Sequence, residues 1–544
     1  MANHSIFRLG ISLLIGISIL SGCSRSLPDP PSAPVPASLA LGNDSLLSRY
    51  LLEENLYTDA YFSQVDGLAK LLTREAEGRD ITIPPGELPA IATYPLVSPN
   101  GKYRVYVDSL QRVRSTEKKM TAMDDPVLFA PDNQRMKTAI RFSASGKFLF
   151  IESSDKELTE IYFLPADLRS RQPVLIEPAQ KGIRYEADHY GMDYFWIMTN
   201  LNAPDGRLVQ ARITAPGSRN WLPAVVYNDS TRLIQFKIIN QRYLLLFEEK
   251  DGRAGVRISD LTALKDPSKE NRIGFKDPGG MLTFAGYDEQ SGKIRLLFSS
   301  PLTPPTMYTY DLANYKLGIR WQKKIKGFIR ENYGSKVILL TIGPDQSIPV
   351  TLLFNKDLEK QDGTAPLLLL SVYNGFSESV TVFDPLLIPL LDRGFYIAMV
   401  PDDGKLLAET ARQLIRENYT GKGLITAIGH NATLEPVLKS LTGSPNLFKA
   451  VILCRTTLAP TKSNGGSTPP AFPGTGLFTN QIYPPIYFSA GEAPTDRRYM
   501  AGLTAQARTT TDKKNILLLR SATNEQKTVS EPVAFIFHCY GLRK

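Results

Sequence analysis

A repeated pair of short strands is the feature of this sequence that most constrains its fold. Each copy has an apolar segment, a short polar turn and then a segment in which apolar and polar residues alternate. The copies begin at Lys102, Lys147, Asp193, Arg242 and Lys293. Successive starts are therefore 45, 46, 49 and 51 residues apart. Short strands repeating every ~40–50 residues are typical of a β-propeller, with one four-stranded blade per repeat, whereas a β-sandwich would lack the period. We predict an all-β propeller over residues 92–345.

The pattern changes to α/β after residue 366. Continuous apolar runs, each followed by a helical or loop segment, occur at residues 367–373, 395–400, 424–428, 450–453, 486–489 and 516–519. Strands that are apolar along their whole length and alternate with helices indicate a parallel sheet covered on both faces. We predict an α/β domain over residues 346–544, and a helical segment over residues 45–91 that packs on it.

The first 44 residues carry targeting features. Arg8 precedes an apolar run at residues 9–20, which is too short to span a bilayer and fits a secretory signal. Leu20-Ser21-Gly22-Cys23 resembles the lipobox of bacterial lipoproteins, in which the cysteine is lipidated. We predict a lipoprotein signal peptide at residues 1–22, a lipid on Cys23 and a Pro-rich tether at residues 23–44. The alternative is an ordinary cleaved signal with an incidental cysteine.

The residue after Cys23 bears on the destination of the anchored protein. Ser24 stands there, and no aspartate resembles an inner-membrane retention signal. We therefore expect a bacterial cell-envelope protein, anchored in the outer membrane and facing the periplasm.

Composition and motif content exclude several classes of function. The net charge of +9 is spread along 544 residues, and nothing resembles a nucleic-acid-binding motif, so we expect no nucleic-acid partner. The four histidines are far apart, and no HExxH, paired Cys/His or phosphate-loop motif occurs, so we predict no metal and no cofactor. Beyond Cys23, only Cys454 and Cys539 remain, which permits at most one disulfide.

Four stretches carry a specific family resemblance. They are Tyr50-Leu-Leu-Glu-Glu-Asn-Leu-Tyr-Thr-Asp59, residues 185–209, Leu391-Asp-Arg-Gly-Phe395 and Pro445-Asn-Leu-Phe-Lys-Ala-Val-Ile452. Together they resemble the prolyl oligopeptidase family, most closely its oligopeptidase B branch. The resemblance implies a β-propeller combined with an α/β-hydrolase domain and a serine-type peptidase activity. The propeller here is shorter than the family's by about two blades at its start.

The resemblance also locates a nucleophile and an acid, and both positions are changed. Gly429-His430-Asn431-Ala432-Thr433 follows a strand and precedes a helix, where α/β-hydrolases carry the Gly-x-Ser-x-Gly elbow. The nucleophile position therefore holds Asn431, which tolerates φ > 0 but cannot form an acyl-enzyme. The acid position falls on Pro494, with Glu492 and Asp496 two residues to either side.

The histidine position is empty, while one further element of the family pattern is present. The histidine should lie between the last strand and the last helix, in residues 520–528, and this interval contains none. Tyr373, in Tyr373-Asn-Gly-Phe376, resembles the family's oxyanion tyrosine, although buried packing explains it equally well. The acidic residues that the resemblance would assign to binding a basic side chain are replaced by the loop at residues 461–470.

We therefore predict a lipid-anchored, catalytically inactive oligopeptidase B-like protein. Its ligand would be a peptide or a protein, bound in the cavity between propeller and hydrolase domain. One alternative is a serine-type oligopeptidase, endopeptidase or esterase with a displaced catalytic site, in which His430 pairs with a hydroxyl such as that of Thr433 or Tyr373. Another is an anchored scaffold whose cavity is empty.

Overall fold

The computed structural model describes most of the chain beyond the predicted signal peptide. The described residues are 27–33, 44–77, 79, 81, 83–84, 95–117, 124–133, 136–155, 157–191, 193–225, 231–264, 270–343, 346–371, 383–400, 406–456, 477–521 and 525–542. Two predicted functional residues, Cys23 and Tyr373, lie outside these ranges. Within them, none of the helices has the length and apolar character needed to cross a membrane.

Two helices precede the propeller, α1 (Asp44–Ser63) and α2 (Asp66–Ala76). Leu47, Tyr50 and Leu51 lie on the buried face of α1. Leu56, by contrast, is 60% exposed. The buried face of α1 instead continues through polar positions such as Glu54, because these bind charged groups of the α/β domain.

Five four-stranded antiparallel sheets follow, one for each copy of the repeat. Their strands are, in chain order, β1 (Leu96–Val97), β2 (Arg104–Val107), β3 (Val113–Thr116), β4 (Val127–Phe129), β5 (Lys137–Phe142), β6 (Phe148–Ser154), β7 (Thr159–Pro165), β8 (Val174–Leu175), β9 (Tyr185–Tyr190), β10 (Tyr194–Thr199), β11 (Arg207–Arg212), β12 (Leu222–Pro223), β13 (Thr231–Ile239), β14 (Tyr243–Lys250), β15 (Arg253–Asp260), β16 (Glu270–Pro278), β17 (Met281–Asp288), β18 (Lys293–Ser300), β19 (Thr303–Asp311) and β20 (Lys316–Gln322). Each group of four consecutive strands forms one blade, so the predicted propeller is confirmed.

Successive blades pack face to face through apolar and aromatic side chains. Phe150 of blade 2 lies edge-on to Phe195 of blade 3, with ring centroids 5.5 Å apart, and Phe275 of blade 4 stacks on Phe298 of blade 5 at 4.1 Å. Such contacts bury the apolar faces that the central strands of each blade present. The outer face of blade 5 is different, because Ile83, from the segment before the propeller, packs against it.

The second half forms one eight-stranded sheet with helices around it. Its elements are β21 (Tyr333–Gly343), β22 (Gln346–Asn355), β23 (Leu367–Ser371), α3 (Ile388–Leu391), β24 (Tyr396–Val400), α4 (Leu407–Arg416), β25 (Ile425–His430), α5 (Leu434–Gly443), β26 (Phe448–Arg455), β27 (Ile486–Ala490), α6 (Pro494–Thr510), β28 (Leu517–Ser521) and α7 (Glu525–Cys539). The strand order is β21-β22-β24-β23-β25-β26-β27-β28, and the six strands from β24 to β28 in this order are parallel. The predicted combination of an all-β propeller and an α/β-hydrolase-type domain is confirmed.

The sheet places the domain junction earlier than predicted. The last propeller strand ends at Gln322, and β21 already pairs with β22 in the eight-stranded sheet. The boundary expected after residue 345 therefore falls between residues 322 and 333. The sequence pattern placed it too late because an antiparallel hairpin such as β21–β22 has the same alternation as two strands of a blade.

Helix α1 is attached to the α/β domain by polar contacts in a buried setting. Arg508 of α6 forms two hydrogen bonds with the Glu54 carboxylate, each 2.7 Å long, and both side chains are almost fully buried. The Thr58 hydroxyl donates to the Leu519 carbonyl of β28. The N-terminal segment thus completes the domain that follows the propeller in sequence.

Candidate functional site

The strand-turn-helix elbow predicted around Asn431 is present in the fold. Strand β25 ends at His430, Asn431 has φ of +50°, and α5 begins at Leu434. A Cβ on Gly429 would lie 3.0 Å from Leu434 Cα, so glycine allows the helix to approach the strand closely. The backbone therefore retains the sharp turn that presents a nucleophile in α/β-hydrolases, with an asparagine at its tip.

The Asn431 side chain is engaged on both of its polar atoms. Its Nδ2 donates to the Thr456 carbonyl at 2.9 Å, and its Oδ1 accepts from the Thr456 N–H at 2.8 Å. The amide thus pairs with one residue of the neighbouring chain segment as a backbone peptide would in a sheet. Thr456 directly follows β26, so this pairing extends the contact between β25 and β26 by one residue.

The His430 ring lies beside the hydroxyl of Thr456. Its Nε2 is 2.8 Å from the Thr456 Oγ1, and which of the two atoms donates depends on the tautomer of the ring. A neutral imidazole with its proton on Nδ1 accepts from this hydroxyl, and one with its proton on Nε2 donates to it.

Burial affects the protonation of His430. Partial burial of the ring lowers its pKa below the ordinary value, since desolvation disfavours the imidazolium. The pairing of His430 with Thr433 through a hydroxyl, which the sequence allowed, is not formed. The Thr433 hydroxyl instead accepts from the backbone N–H of His430 and donates to its carbonyl.

The predicted acid position, Pro494, is the first residue of α6. Proline suits this position, because the first helical N–H has no intrahelical partner and the ring fixes a helical φ. Of the two acids flanking it, Glu492 is exposed and Asp496 is buried. Asp496 forms an ion pair with Arg455 at 3.1 Å, and Arg455 also lies over the Tyr499 ring. This carboxylate therefore compensates a neighbouring arginine at the end of β26.

The segment where a catalytic histidine was expected is occupied by an ionic cluster. Strand β28 ends at Ser521 and α7 begins at Glu525, so the connection is shorter than the interval of residues 520–528 expected from the sequence. Arg520 binds Glu531 of α7 at 2.7 Å and Asp59 of α1 at 2.9 Å. Arg520 and Glu531 are buried, and this cluster joins β28, α7 and the N-terminal helix.

The remaining predicted features are dispersed through the fold. His189 lies in the interface of blades 2 and 3, where its Nδ1 is 2.7 Å from the Ser145 hydroxyl, and His538 packs edge-on against Tyr61. Cys454 and Cys539 are free thiols. Across the described ranges, no group of three potential metal ligands is found. Tyr373 and Cys23 cannot be placed relative to these groups, because both lie outside the described residues.

Thr456 and Arg455 are site residues that the sequence analysis did not identify. Both stand at the carboxyl end of β26, next to the strand that carries the elbow, and carboxyl ends of adjacent parallel strands meet at one edge of a sheet. This rule was the one signal in the sequence that could have located the two residues. Threonine and arginine are common outside functional sites, so their residue types alone did not identify them as site residues.

Comparison with known proteins shows which sequences this chain resembles. Residues 112–322 match the family described as prolyl oligopeptidase, N-terminal beta-propeller domain. The sequence is 25% identical over 377 residues to the uncharacterized peptidase y4qF of Sinorhizobium fredii. The aligned region covers 60% of this chain and 48% of that protein. It is 24% identical over 355 residues to protease 2 of Moraxella lacunata, covering 60% and 49%. The chain thus spans about half the length of the curated relatives it matches.

Solved structures support the same assignment of the fold. Oligopeptidase B from Leishmania major superposes with a TM-score of 0.73 at 14% identity, over 92% of this chain and 93% of that one. Oligopeptidase B from Trypanosoma brucei, in a closed form with covalently bound antipain, superposes with a TM-score of 0.65 at 18% identity, over 81% and 72%. Residues 112–322 thus match the propeller of the prolyl oligopeptidase family, and the chain as a whole has the fold seen in oligopeptidase B.

Proposed function

We propose that this protein is a lipid-anchored, catalytically inactive relative of oligopeptidase B that binds peptides or a protein partner without cleaving them. One observation carries the proposal. The residue at the tip of the elbow, Asn431, uses both polar atoms of its side chain to bind the Thr456 backbone. An amide held in this way is not a nucleophile, and it fills the place where an acyl-enzyme would form.

The surroundings of Asn431 support the same conclusion. Residues 522–524, between β28 and α7, are Ala-Thr-Asn, so no histidine lies on this connection. His430 is not on that connection, because it ends β25, and its Nε2 contacts the Thr456 hydroxyl at 2.8 Å. All three groups of a serine-peptidase mechanism are therefore replaced by residues with structural contacts or no acid–base chemistry.

A peptidase assay tests this proposal. Fluorogenic peptides with arginine, lysine or proline before the cleaved bond should show no turnover above the uncatalysed rate. Asn431→Ser should also be inactive, because restoring the hydroxyl supplies no base to activate it. Enzymes that lose one triad member still exceed the uncatalysed rate by ~10³–10⁴-fold, so an assay of that sensitivity is sufficient. Turnover by the purified wild-type chain would refute the proposal.

The proposed anchor has a separate test. The segment Leu20-Ser21-Gly22-Cys23 supports lipidation of Cys23, and the prolines that follow support an extended tether. Cys23→Ala should release the protein from the membrane fraction or leave its signal peptide uncleaved, and mass spectrometry of the mature wild-type N-terminus should find a diacylated cysteine. A mature chain cleaved elsewhere and carrying no lipid would contradict the anchor but not the loss of catalysis.

A serine-type peptidase or esterase with a displaced site is the second candidate. The 2.8 Å contact between His430 Nε2 and the Thr456 hydroxyl favours it, because a threonine hydroxyl beside an imidazole is the minimal nucleophile–base pair. Triad chemistry also needs a group that orients the base, and in the described part of the chain the His430 ring has no hydrogen bond to a carboxylate. Any hydrolysis that disappears in Thr456→Val, a variant that removes only the hydroxyl, would support this second candidate.

A further inference from the structure

The propeller has two faces, and only one of them meets the α/β domain. Leu302, in the turn between the second and third strands of blade 5, belongs to the same apolar core as Leu353 and Phe395 of the α/β domain. Gly252, in the corresponding turn of blade 4, lies against Val337 of β21. Because strands of a blade alternate in direction, the turns between first and second strands, and between third and fourth, lie on the opposite face. We call this opposite face the distal face.

A cleft of about 490 Å³ opens on the distal face between blades 1 and 2. Its walls are the first turn of blade 1, the first turn of blade 2 and the connection that follows β7. The lining residues are Pro99, Asn100, Gly146, Lys147, Phe148, Pro165, Ala166, Asp167 and Arg169. We call this the distal cleft. Its volume lies in the ~300–1,000 Å³ range of clefts that hold small ligands or a few residues of a peptide.

The floor of the distal cleft is apolar and fixed by packing. Phe148 is half-buried, and its ring meets Phe163 edge-on at 5.7 Å and His189 at 4.9 Å. Pro99 and Pro165 form the sides, and neither has a rotatable side chain. A surface of this kind accepts an apolar side chain without ordering many groups of its own, which limits the entropic cost of binding.

The rim of the distal cleft is cationic. Lys147 is exposed, and its ammonium donates to the Gly191 carbonyl at 3.3 Å, with no carboxylate within ion-pair distance in the described part of the chain. The Arg169 side chain is 79% exposed, and its single ion-pair partner in those ranges, Asp167, lies 3.9 Å away. Two further cations, Lys102 and Arg171, lie over the Tyr103 ring on the neighbouring surface. Lys102 is paired with Glu117 at 3.6 Å, so Lys147 and Arg169 are the cations that can bind an incoming anion at little cost in broken ion pairs.

We propose that the distal cleft binds an acidic peptide segment that places an apolar side chain on Phe148 and its carboxylates against Lys147 and Arg169. A peptide fits better than a membrane surface, because the apolar floor lies inside a concavity that a bilayer cannot enter. The site is on the face away from the elbow at Asn431. It therefore does not depend on whether the α/β domain retains catalysis, and it can bind a partner while the space between the domains is occupied.

The test is binding of a fluorescein-labelled peptide, Asp-Glu-Phe-Asp-Glu, to the full purified chain, followed by fluorescence polarisation. A neutral peptide of the same length, Asn-Gln-Phe-Asn-Gln, is the ligand control. Lys147→Glu and Arg169→Glu should each raise the Kd of the acidic peptide about tenfold or more, corresponding to loss of one favourable charge contact and gain of a repulsive one. Arg219→Glu makes the same charge change at an exposed site on the distal face of blade 3 and should leave the Kd unchanged within about twofold.

Three outcomes would overturn the proposal. The acidic peptide could fail to bind the wild-type chain, or Arg219→Glu could weaken binding as much as the two cleft variants, which would indicate diffuse charge attraction. The third is that phosphatidylglycerol vesicles, and not the peptide, bind in a manner sensitive to Lys147→Glu, which would identify a membrane contact. Circular dichroism of each variant establishes that it is folded, since all three changes are at exposed positions.

Discussion

At the scale of single residues, Asn431 is fixed both by its backbone conformation and by its side-chain hydrogen bonds. Asparagine is one of the few residues besides glycine that adopts a left-handed backbone at small cost, so it can occupy the tip of the elbow. Its amide then supplies a donor and an acceptor on two separate atoms, which pair with the carbonyl and the N–H of Thr456, whereas a serine hydroxyl has a single oxygen for both roles. The backbone conformation and the hydrogen bonds at position 431 therefore both favour asparagine. Substitutions can separate these two contributions to stability.

Two substitutions at Asn431 separate these contributions. Asn431→Ala removes both side-chain hydrogen bonds and places a less tolerant residue at φ of +50°, so we expect a loss of about 2–3 kcal/mol in the free energy of unfolding. Asn431→Gly removes the same bonds but relieves the backbone, and should cost about 1 kcal/mol less than the alanine variant. Urea denaturation of the three proteins measures both. Equal stability of alanine variant and wild type would show that the pairing with Thr456 contributes nothing.

His430 should contribute to the pH dependence of stability. Its folded pKa is lowered, so the unfolded state binds protons more readily, and stability is fully present above the unfolded value of ~6.5 and falls as the pH decreases through it. NMR titration of the His430 ring should give a midpoint below 6.5, and His430→Gln should weaken the fall in stability between pH 7 and pH 5. A midpoint at or above 6.5 would show that burial does not disfavour the imidazolium at this site.

At the scale of secondary-structure elements, helix α1 is the piece whose attachment is most specific. It is joined to α6 by the Glu54–Arg508 pair and to β28 and α7 through Arg520. Burial and the Glu54 carboxylate act in opposite directions on the pKa of the Arg508 guanidinium, and the net effect is to raise it. A buried ion pair adds little stability relative to a pair of apolar side chains of similar size. Loss of one partner, however, leaves an uncompensated charge in the core.

The variant Arg508→Met tests this attachment. It should destabilise the protein by about 3–5 kcal/mol, because Glu54 has no exposed surface and would remain charged or be forced to take up a proton. The matched control is Arg498→Met on the same helix, whose partner Asp44 is 79% exposed, and there we expect a change below about 1 kcal/mol. A similar small effect at both positions would mean that α1 is held by its apolar residues alone.

The elements themselves were largely predictable, and their polar connections were not. The apolar runs predicted the buried strands β23 to β28, and the repeat of short strands predicted the five blades. Both patterns are visible because buried positions recur at regular intervals in the sequence. The Arg508–Glu54 and Asn431–Thr456 contacts join residues that are far apart in sequence or on adjacent strands, and no periodic pattern encodes them. For the same reason, the sequence showed that an asparagine occupies the nucleophile position but not that it pairs with the Thr456 backbone.

At the scale of the whole molecule, an N-terminal helical segment, a propeller and an α/β domain are combined. Propeller and α/β domain retain the arrangement found in oligopeptidase B, with about half the length of the curated relatives matched. The propeller has five blades in the described ranges, and Ile83 from the preceding segment packs on the outer face of the fifth. The N-terminal segment thus contacts both domains, since α1 lies on the α/β domain and the residues after α2 reach the propeller.

We expect no side chain of the α/β domain to be an activated nucleophile. Incubation of the wild-type chain with a fluorophosphonate, followed by intact-protein mass spectrometry, tests this because the probe labels activated hydroxyls whatever the substrate. No adduct is expected on the wild type and none on Asn431→Ser, since neither protein has a histidine between β28 and α7. A stoichiometric adduct on the wild type, mapped by peptide sequencing to Thr456 or another hydroxyl of this domain, would show that the protein carries an activated nucleophile and would refute the proposed loss of catalysis.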